Sequence, residues 1–251
     1  MAARSFLGAG DIYINRLIDG VPQGLVGPIY ANSFQLQPAV NTVQSTSKGR
    51  NDYGQVLESV NIAQPTTFTM ELKEVTGDIL TMAFLGTDAA LNEAAGTLTD
   101  APVTVKLGKW VALGKRNLDD LISVENTGGT TTYVEGTDYK LNRPMGWIMA
   151  LAGGAIADAA TVNVSGAYSA AKGRTIKGST RTEVRAHIVF DGINQADGTQ
   201  CTVNVWEAVL SADSAFDFLA DDFGNVSLTG NLKTPTGKDA PYIVEVQDPV
   251  Q

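Results

Sequence analysis

Nucleophilic or soft-metal chemistry in this chain would have to be built on one histidine, His187, and one cysteine, Cys201. A dyad needs a serine, cysteine or aspartate within hydrogen-bond reach of the imidazole, and the sequence marks no such partner for His187, which lies mid-strand beside Arg185. A surface or interface histidine is the expectation. Cys201 opens an alternating run on the side of Val203 and Val205, the position of a buried structural thiol. One histidine and one cysteine also exclude a Cys/His zinc site by count. Two acidic stretches are candidates for calcium: Asp191 to Gly198, and Asp213, Asp217, Asp221 and Asp222. Neither has the alternating ligand spacing of an EF-hand loop, so they read as solvated turn aspartates. Gly8-Ala9-Gly10 precedes a strand instead of joining a strand to a helix, and is no nucleotide fingerprint. The triplets Asn163-Val164-Ser165 and Asn225-Val226-Ser227 match a glycosylation acceptor by chance, given no apolar leader run in Met1 to Ser5. No enzyme activity, cofactor or metal is expected.

The elements behind these residues centre on Gln55 to Gly86. Val60 and Ile62, then Phe68, Met70 and Leu72 after Pro65, alternate with Ser59, Asn61, Thr67, Thr69 and Glu71, which predicts a long half-buried strand with a bulge or edge at the proline. From Thr76 the period changes to that of a helix over 76–86, with Asp78 near its start and Gly86 placed for a left-handed cap. A helix of about ten residues is marginal alone and must dock on a sheet.

Composition agrees with sheet. The 251 residues are 43% hydrophobic and 18% charged, with 26 glycines and a formal charge of −9. That is ample for a large core and argues against a broad basic nucleic-acid surface. The most apolar window, Met145 to Ala160, is interrupted by glycine and shorter than the roughly 18 residues a membrane span needs. The expectation is a soluble protein folded in the cytoplasm.

In chain order, Gly10 to Leu17 and Ile29 to Val43 read as strands joined by a turn-rich connection containing Gly20, Pro22, Gly24, Gly27 and Pro28. Gln35 and Gln37 form an uncharged polar face against Phe34 and Leu36. Gln44 to Gly54 is polar throughout and reads as a mobile arm at a hairpin tip. Thr87 to Asp100 reads as a linker. From Ala101 to Tyr168 short strands alternate with turns, the pattern of a small immunoglobulin-like sandwich inserted into a host domain. The host resumes with a second hairpin, in which Glu183 and Arg185 on one strand and Thr202 and Asn204 on the other alternate with apolar residues. The predicted division is 1–99 and 171–251 for the host and 100–170 for the insertion. Overall the prediction is a mainly β chain, a β-sandwich or half-barrel with one flanking helix.

This layout resembles the tail tube proteins of long-tailed bacteriophages. The resemblance rests on Gly10-Asp-Ile-Tyr13, the arm Thr46 to Gly54 followed by Glu58 to Leu72, and the helix ending Leu80-Thr-Met-Ala-Phe-Leu-Gly86. Glu135-Gly-Thr-Asp-Tyr139, Gly146-Trp-Ile148 and the closing run from Phe223 through Leu232 to Pro235 extend it over nearly the full chain. It implies a structural virion protein, assembled in the host cytoplasm, whose hexameric rings stack into a tube that conducts the DNA genome. Its partners would be itself, the tape measure, terminator and distal tail proteins, with DNA passing through without specific binding. By phase, Gln35, Gln37, Ser59, Asn61, Thr67, Thr69, Glu71, Glu183, Arg185, Thr202 and Asn204 are assigned to the lumen. Lys48, Arg50 and Asp52 on the arm, with Asp217, Asp221 and Asp222, are assigned to contacts between rings, and the insertion would project outward. Two alternatives stand beside this reading. One is an adhesin or carbohydrate-binding sandwich presenting Trp110, Trp147, Tyr133 and Tyr139, and the other is a secretion-system tube without DNA cargo.

Overall fold

In a computed structural model, residues 5–213 and 215–247 are described. The chain is mainly β and antiparallel, with one α-helix among the described residues. Four strands open it: β1 (Gly8–Ile18), β2 (Val21–Ile29), β3 (Ala31–Thr46) and β4 (Val56–Leu72). The helix α1 (Gly77–Ala83) follows, then β5 (Thr87–Glu93), β6 (Gly96–Thr104), β7 (Val111–Ala112) and β8 (Leu118–Asn126). Next come β9 (Tyr139–Asn142), β10 (Trp147–Ala150), β11 (Thr161–Tyr168) and β12 (Ala171–Lys177). The chain closes with β13 (Val184–Asn194), β14 (Gln200–Ala212), β15 (Val226–Lys233) and β16 (Tyr242–Val246).

Two compact units result. The first takes the chain up to Asp88 and again from Ile176, and the second is Ala89–Thr175. The insertion is therefore wider than the 100–170 read from sequence. Thr87 to Asp100, expected as a linker, is instead β5 and β6, whose ladders are made with β12 and β11. Their Ala-, Asn- and Thr-rich residues do not alternate in polarity, so backbone pairing alone marks them as strands.

The first unit is an eight-stranded sheet in the order β2-β1-β13-β14-β15-β4-β3, with β16 also on β14. Ile12, Ile14, Phe68, Met70, Leu72, Val184, Ile188, Val205, Leu210 and Leu228 alternate onto one face and fill one core, over which α1 lays Ile79 and Met82. The sheet is folded over on itself. Phe34 of β3 and Phe190 of β13 stack with ring centroids 5.9 Å apart, although a flat sheet would hold strands four places apart at about 19 Å. Core residues thus face inward from both halves and the polar residues face outward.

Two local predictions are corrected here. The turn-rich connection through Gly20 and Pro28 contains the strand β2, whose irregular register against β1 is stabilised by Asn15, with Oδ1 accepting the N–H groups of Gln23 and Gly24, both at 2.9 Å. At the end of α1 the left-handed residue is Leu85, at φ 48°, and not Gly86. Leu85 N–H bonds Met82 and Gly86 N–H bonds Thr81, the paired closure of a Schellman motif. Gly86 is needed for space, because a Cβ there would sit 2.7 Å from the Lys177 carbonyl oxygen.

The second unit has two three-stranded sheets, β7-β10-β9 and β6-β11-β8, around Val105, Val124, Tyr139, Ile148, Ala150, Ile156, Val162 and Val164. Asp138 ties it together, accepting N–H bonds from Val134 and Ala155 at 2.8 Å each. Those two donors hold its carboxyl below the usual carboxylate range.

Candidate assembly surfaces

Antiparallel register puts directly opposed residues on the same face, so rows can be read across the outer surface of the first unit. One row is Gln35, Thr69, Thr229 and Ser211, and another is Gln37, Thr67, Asn231, Val209, Arg185 and Leu17. Ser33, Glu71 and Ser227 form a third. Nine of the residues read by phase as lining are on this outer surface or beside its edge. Because the sheet folds over, they do not share a plane. Gln35, Gln37, Thr67, Thr69 and Glu71 belong to the β15-β4-β3 half, while Glu183, Arg185, Thr202 and Asn204 belong to the β1-β13-β14 half. These two halves turn their polar sides away from a common core.

The two halves also differ in chemistry. Hydroxyls and amides dominate the first: Thr69 Oγ1 is 3.4 Å from Thr229 Oγ1, and Asn225 Nδ2 donates to Glu71 Oε1 at 2.9 Å. Ser33, Ser227, Thr229 and Asn231 extend this face and were not singled out from the sequence. The alternation of Val226, Leu228 and Leu232 with Ser227, Thr229 and Asn231 already carried that signal. The second half is charged and aromatic. Arg185 is clamped by Glu183 and Glu207, each at 2.7 Å, and Lys233 adds a contact of 3.4 Å to Glu207. The hydrogen bond that Arg185 donates to Glu183 first, then the one it donates to Glu207, raises its pKa. His187 stacks on Trp206 at 6.1 Å, with Nε2 2.7 Å from Asn204 Oδ1, and Lys238 Nζ sits 3.6 Å above the same indole. A single polar face made of all eleven residues is thus not what the fold builds.

Ser59 and Asn61 leave the set for a second reason. Between the pairs Gln37–Thr67 and Ala39–Gln64, β3 advances two residues and β4 three. That bulge, adjoining Pro65, reverses the alternation of β4 relative to β3. Beyond it Asn61 and Ser59 oppose Thr42 and Gln44, and Thr42 Oγ1 donates to Asn61 Oδ1 at 2.7 Å. Val60 and Ile62, expected on the core side with Phe68, are 54% and 49% exposed.

Beyond the bulge the β3–β4 hairpin runs with both faces open, leaving Val40, Val43, Val56, Leu57, Val60 and Ile62 exposed. The arm expected over Gln44 to Gly54 is shorter and more ordered than predicted. β3 continues to Thr46, and Ser47 and Gln55 close the tip by hydrogen bonds from Ser47 N–H to the Gln55 carbonyl and from Gly54 N–H to the Ser47 carbonyl, each 2.8 Å. Lys48, Arg50, Asp52 and Tyr53 stand at that tip. Asp217, Asp221 and Asp222 lie on the loop between β14 and β15, where Phe216 packs edge-on against Phe84 and Phe218, at 6.2 and 4.8 Å.

The aromatic set of the binding alternative does not come together as a platform. Tyr139 is 2% exposed in the core of the second unit and Tyr133 packs against that core, while Trp110 is 44% exposed. Trp147 alternates away from buried Ile148. Among the described residues no group of three or more His, Cys, Asp or Glu side chains is arranged to hold a metal ion, and no helix is long and apolar enough to cross a membrane. Cys201 is buried.

The family described as Protein of unknown function UCP028589 matches residues 5–241, spanning both units. No curated protein matches the chain by sequence.

Proposed function

We propose that this chain, which belongs to the family Protein of unknown function UCP028589, is a structural subunit whose hexameric rings stack into the tail tube of a long-tailed bacteriophage. The observation that carries the reading is the β3–β4 hairpin, which extends past its core with six large apolar side chains exposed, on a sheet whose outer strands β2 and β3 have no further strand partner among the described residues. Exposed apolar area of that kind and open strand edges call for neighbours, and a closed ring of identical subunits supplies them.

On this reading the bore is lined by the β15-β4-β3 half: Gln35, Gln37, Thr67, Thr69 and Glu71, joined by Ser33, Ser227, Thr229 and Asn231. A duplex held by many Lys or Arg contacts must break them and recapture counterions to move. This half offers hydroxyls, amides and one carboxylate, and its cation at the end of β15, Lys233, is 3.4 Å from Glu207, so a polyanion finds few sticking points. Arg185, clamped by two carboxylates on the other half, is placed outside the bore, together with Glu183, Thr202 and Asn204. The function is mechanical, with no catalytic group.

Negative-stain microscopy of the purified chain tests this. Rings or tubes of sixfold symmetry with a bore wide enough for duplex DNA are expected. A species that stays monomeric over a wide concentration range, or a bore lined by Arg185 and Glu183, would overturn the reading.

A further inference from the structure

The loop between β14 and β15 carries four aspartates and no basic residue from Asp213 to Asn225, yet it holds the two most exposed large apolar side chains among the described residues. Phe223 is 100% exposed, Leu219 90% and Phe218 72%. A loop that only needed solubility would not hold such side chains in water. Nor is it shapeless. Phe216 wedges against Phe84 and Phe218, Asp217 Oδ1 accepts the Leu219 N–H at 2.8 Å, and Asn225 is tied to Glu71. A surface ordered before binding loses less freedom when it binds.

The tip of the β3–β4 hairpin has the opposite character. Lys48 and Arg50 flank Gly49, and Tyr53, Val56 and Leu57 are 77%, 51% and 64% exposed. We propose that the loop segment Ala215 to Asn225 is the seat for the hairpin tip of a second copy of this chain, with Phe218, Leu219 and Phe223 covering Tyr53, Val56 and Leu57 while Asp221 and Asp222 face Lys48 and Arg50. The proposal rests on the tube reading and names the contact that stacks one ring on the next. Two different patches on one chain that complement each other make a heterologous contact, which propagates head to tail instead of closing a dimer. Opposite charge sets the register and the apolar groups supply the buried area.

Charge reversal with exchange tests it. Lys48→Glu with Arg50→Glu, or Asp221→Lys with Asp222→Lys, should each abolish stacking into tubes, read by sedimentation and microscopy. Equimolar mixing of the two reversed proteins, or all four changes in one chain, should restore it. Leu219→Ser with Phe223→Ser should leave the thermal midpoint of the subunit unchanged and raise the critical concentration for tubes tenfold or more. If the loop-reversed protein stacks as the native chain does, or if mixing restores nothing, the seat is elsewhere although the rings stand. If the native chain forms neither rings nor tubes, the tube reading falls and this contact with it.

Discussion

At the scale of single residues, some of the ties that hold each unit together have little sequence signal. Asp138 is the clearest case. Its two backbone donors favour the ionised form, so its folded pKa lies below the ordinary 3.8. A carboxyl shifted that way contributes stability that is fully present above its unfolded pKa and is lost as pH falls through the folded value. Asp138→Asn should therefore lower the melting midpoint of the second unit at neutral pH, and calorimetry should show that the gap to the native protein narrows as pH drops below 3.8. In the first unit, Phe68 is 1% exposed, and its ring lies over Gly230, where an added Cβ would come within 2.8 Å of it. Large and small thus interlock across β4 and β15. Phe68→Ala should cost about 3–5 kcal/mol in urea unfolding, the usual scale for emptying a buried aromatic site. Gly230→Ala should also destabilise, because its Cβ would meet the Val209 carbonyl oxygen at 1.9 Å.

At the scale of elements, bulges decide what periodicity cannot. Alternation along β4 correctly sorted Thr67, Thr69 and Glu71 from Phe68, Met70 and Leu72. It failed past Pro65, where the three-against-two step moves Ser59 and Asn61 to the other side. A second bulge, at Ala186/Ile188 opposite Ala208/Val205, sets Glu207 beside Arg185. Neither irregularity has a marker in hydropathy, since a bulge is a property of the pair of strands. The helix was more legible: Thr76 caps it and Asp78 sits in its first turn. Thr76→Ala should cost about 1 kcal/mol of first-unit stability, measured by thermal or denaturant unfolding. The hairpin tip is the opposite kind of element, contributing nothing to the core. Deleting Lys48 to Asp52 should leave a folded subunit with an unchanged circular dichroism spectrum that no longer polymerises, and full-length tubes from that variant would remove the tip from assembly.

At the scale of the whole molecule, the two units keep separate cores. No residue of the first core comes from Ala89–Thr175, and every residue of the second does. The chain passes into the second unit along β5 and returns along β12, which pair with each other, so the two ends of the insertion are adjacent. Joining Asp88 to Ile176 through a short Gly/Ser bridge should yield a folded first unit with a cooperative transition. Loss of that transition would mean that the units stabilise one another.

Class, insertion and polar patterning were determined by the sequence alone. β-branched alternation dictates sheet, the change of character after residue 100 announces a second unit, and one histidine with one cysteine leaves little from which to build catalysis. These are local or compositional properties, and a chain displays them before it folds. Tertiary structure decided which alternating faces are equivalent. Rows such as Gln37, Thr67, Asn231 and Arg185 exist only once distant strands adopt their register, and only the folding of the sheet over its core, which brings Phe34 onto Phe190, turns the two polar halves in different directions. It also left Phe223 and Ile62 in water, because burial depends on what reaches a side chain and not on the side chain's own polarity.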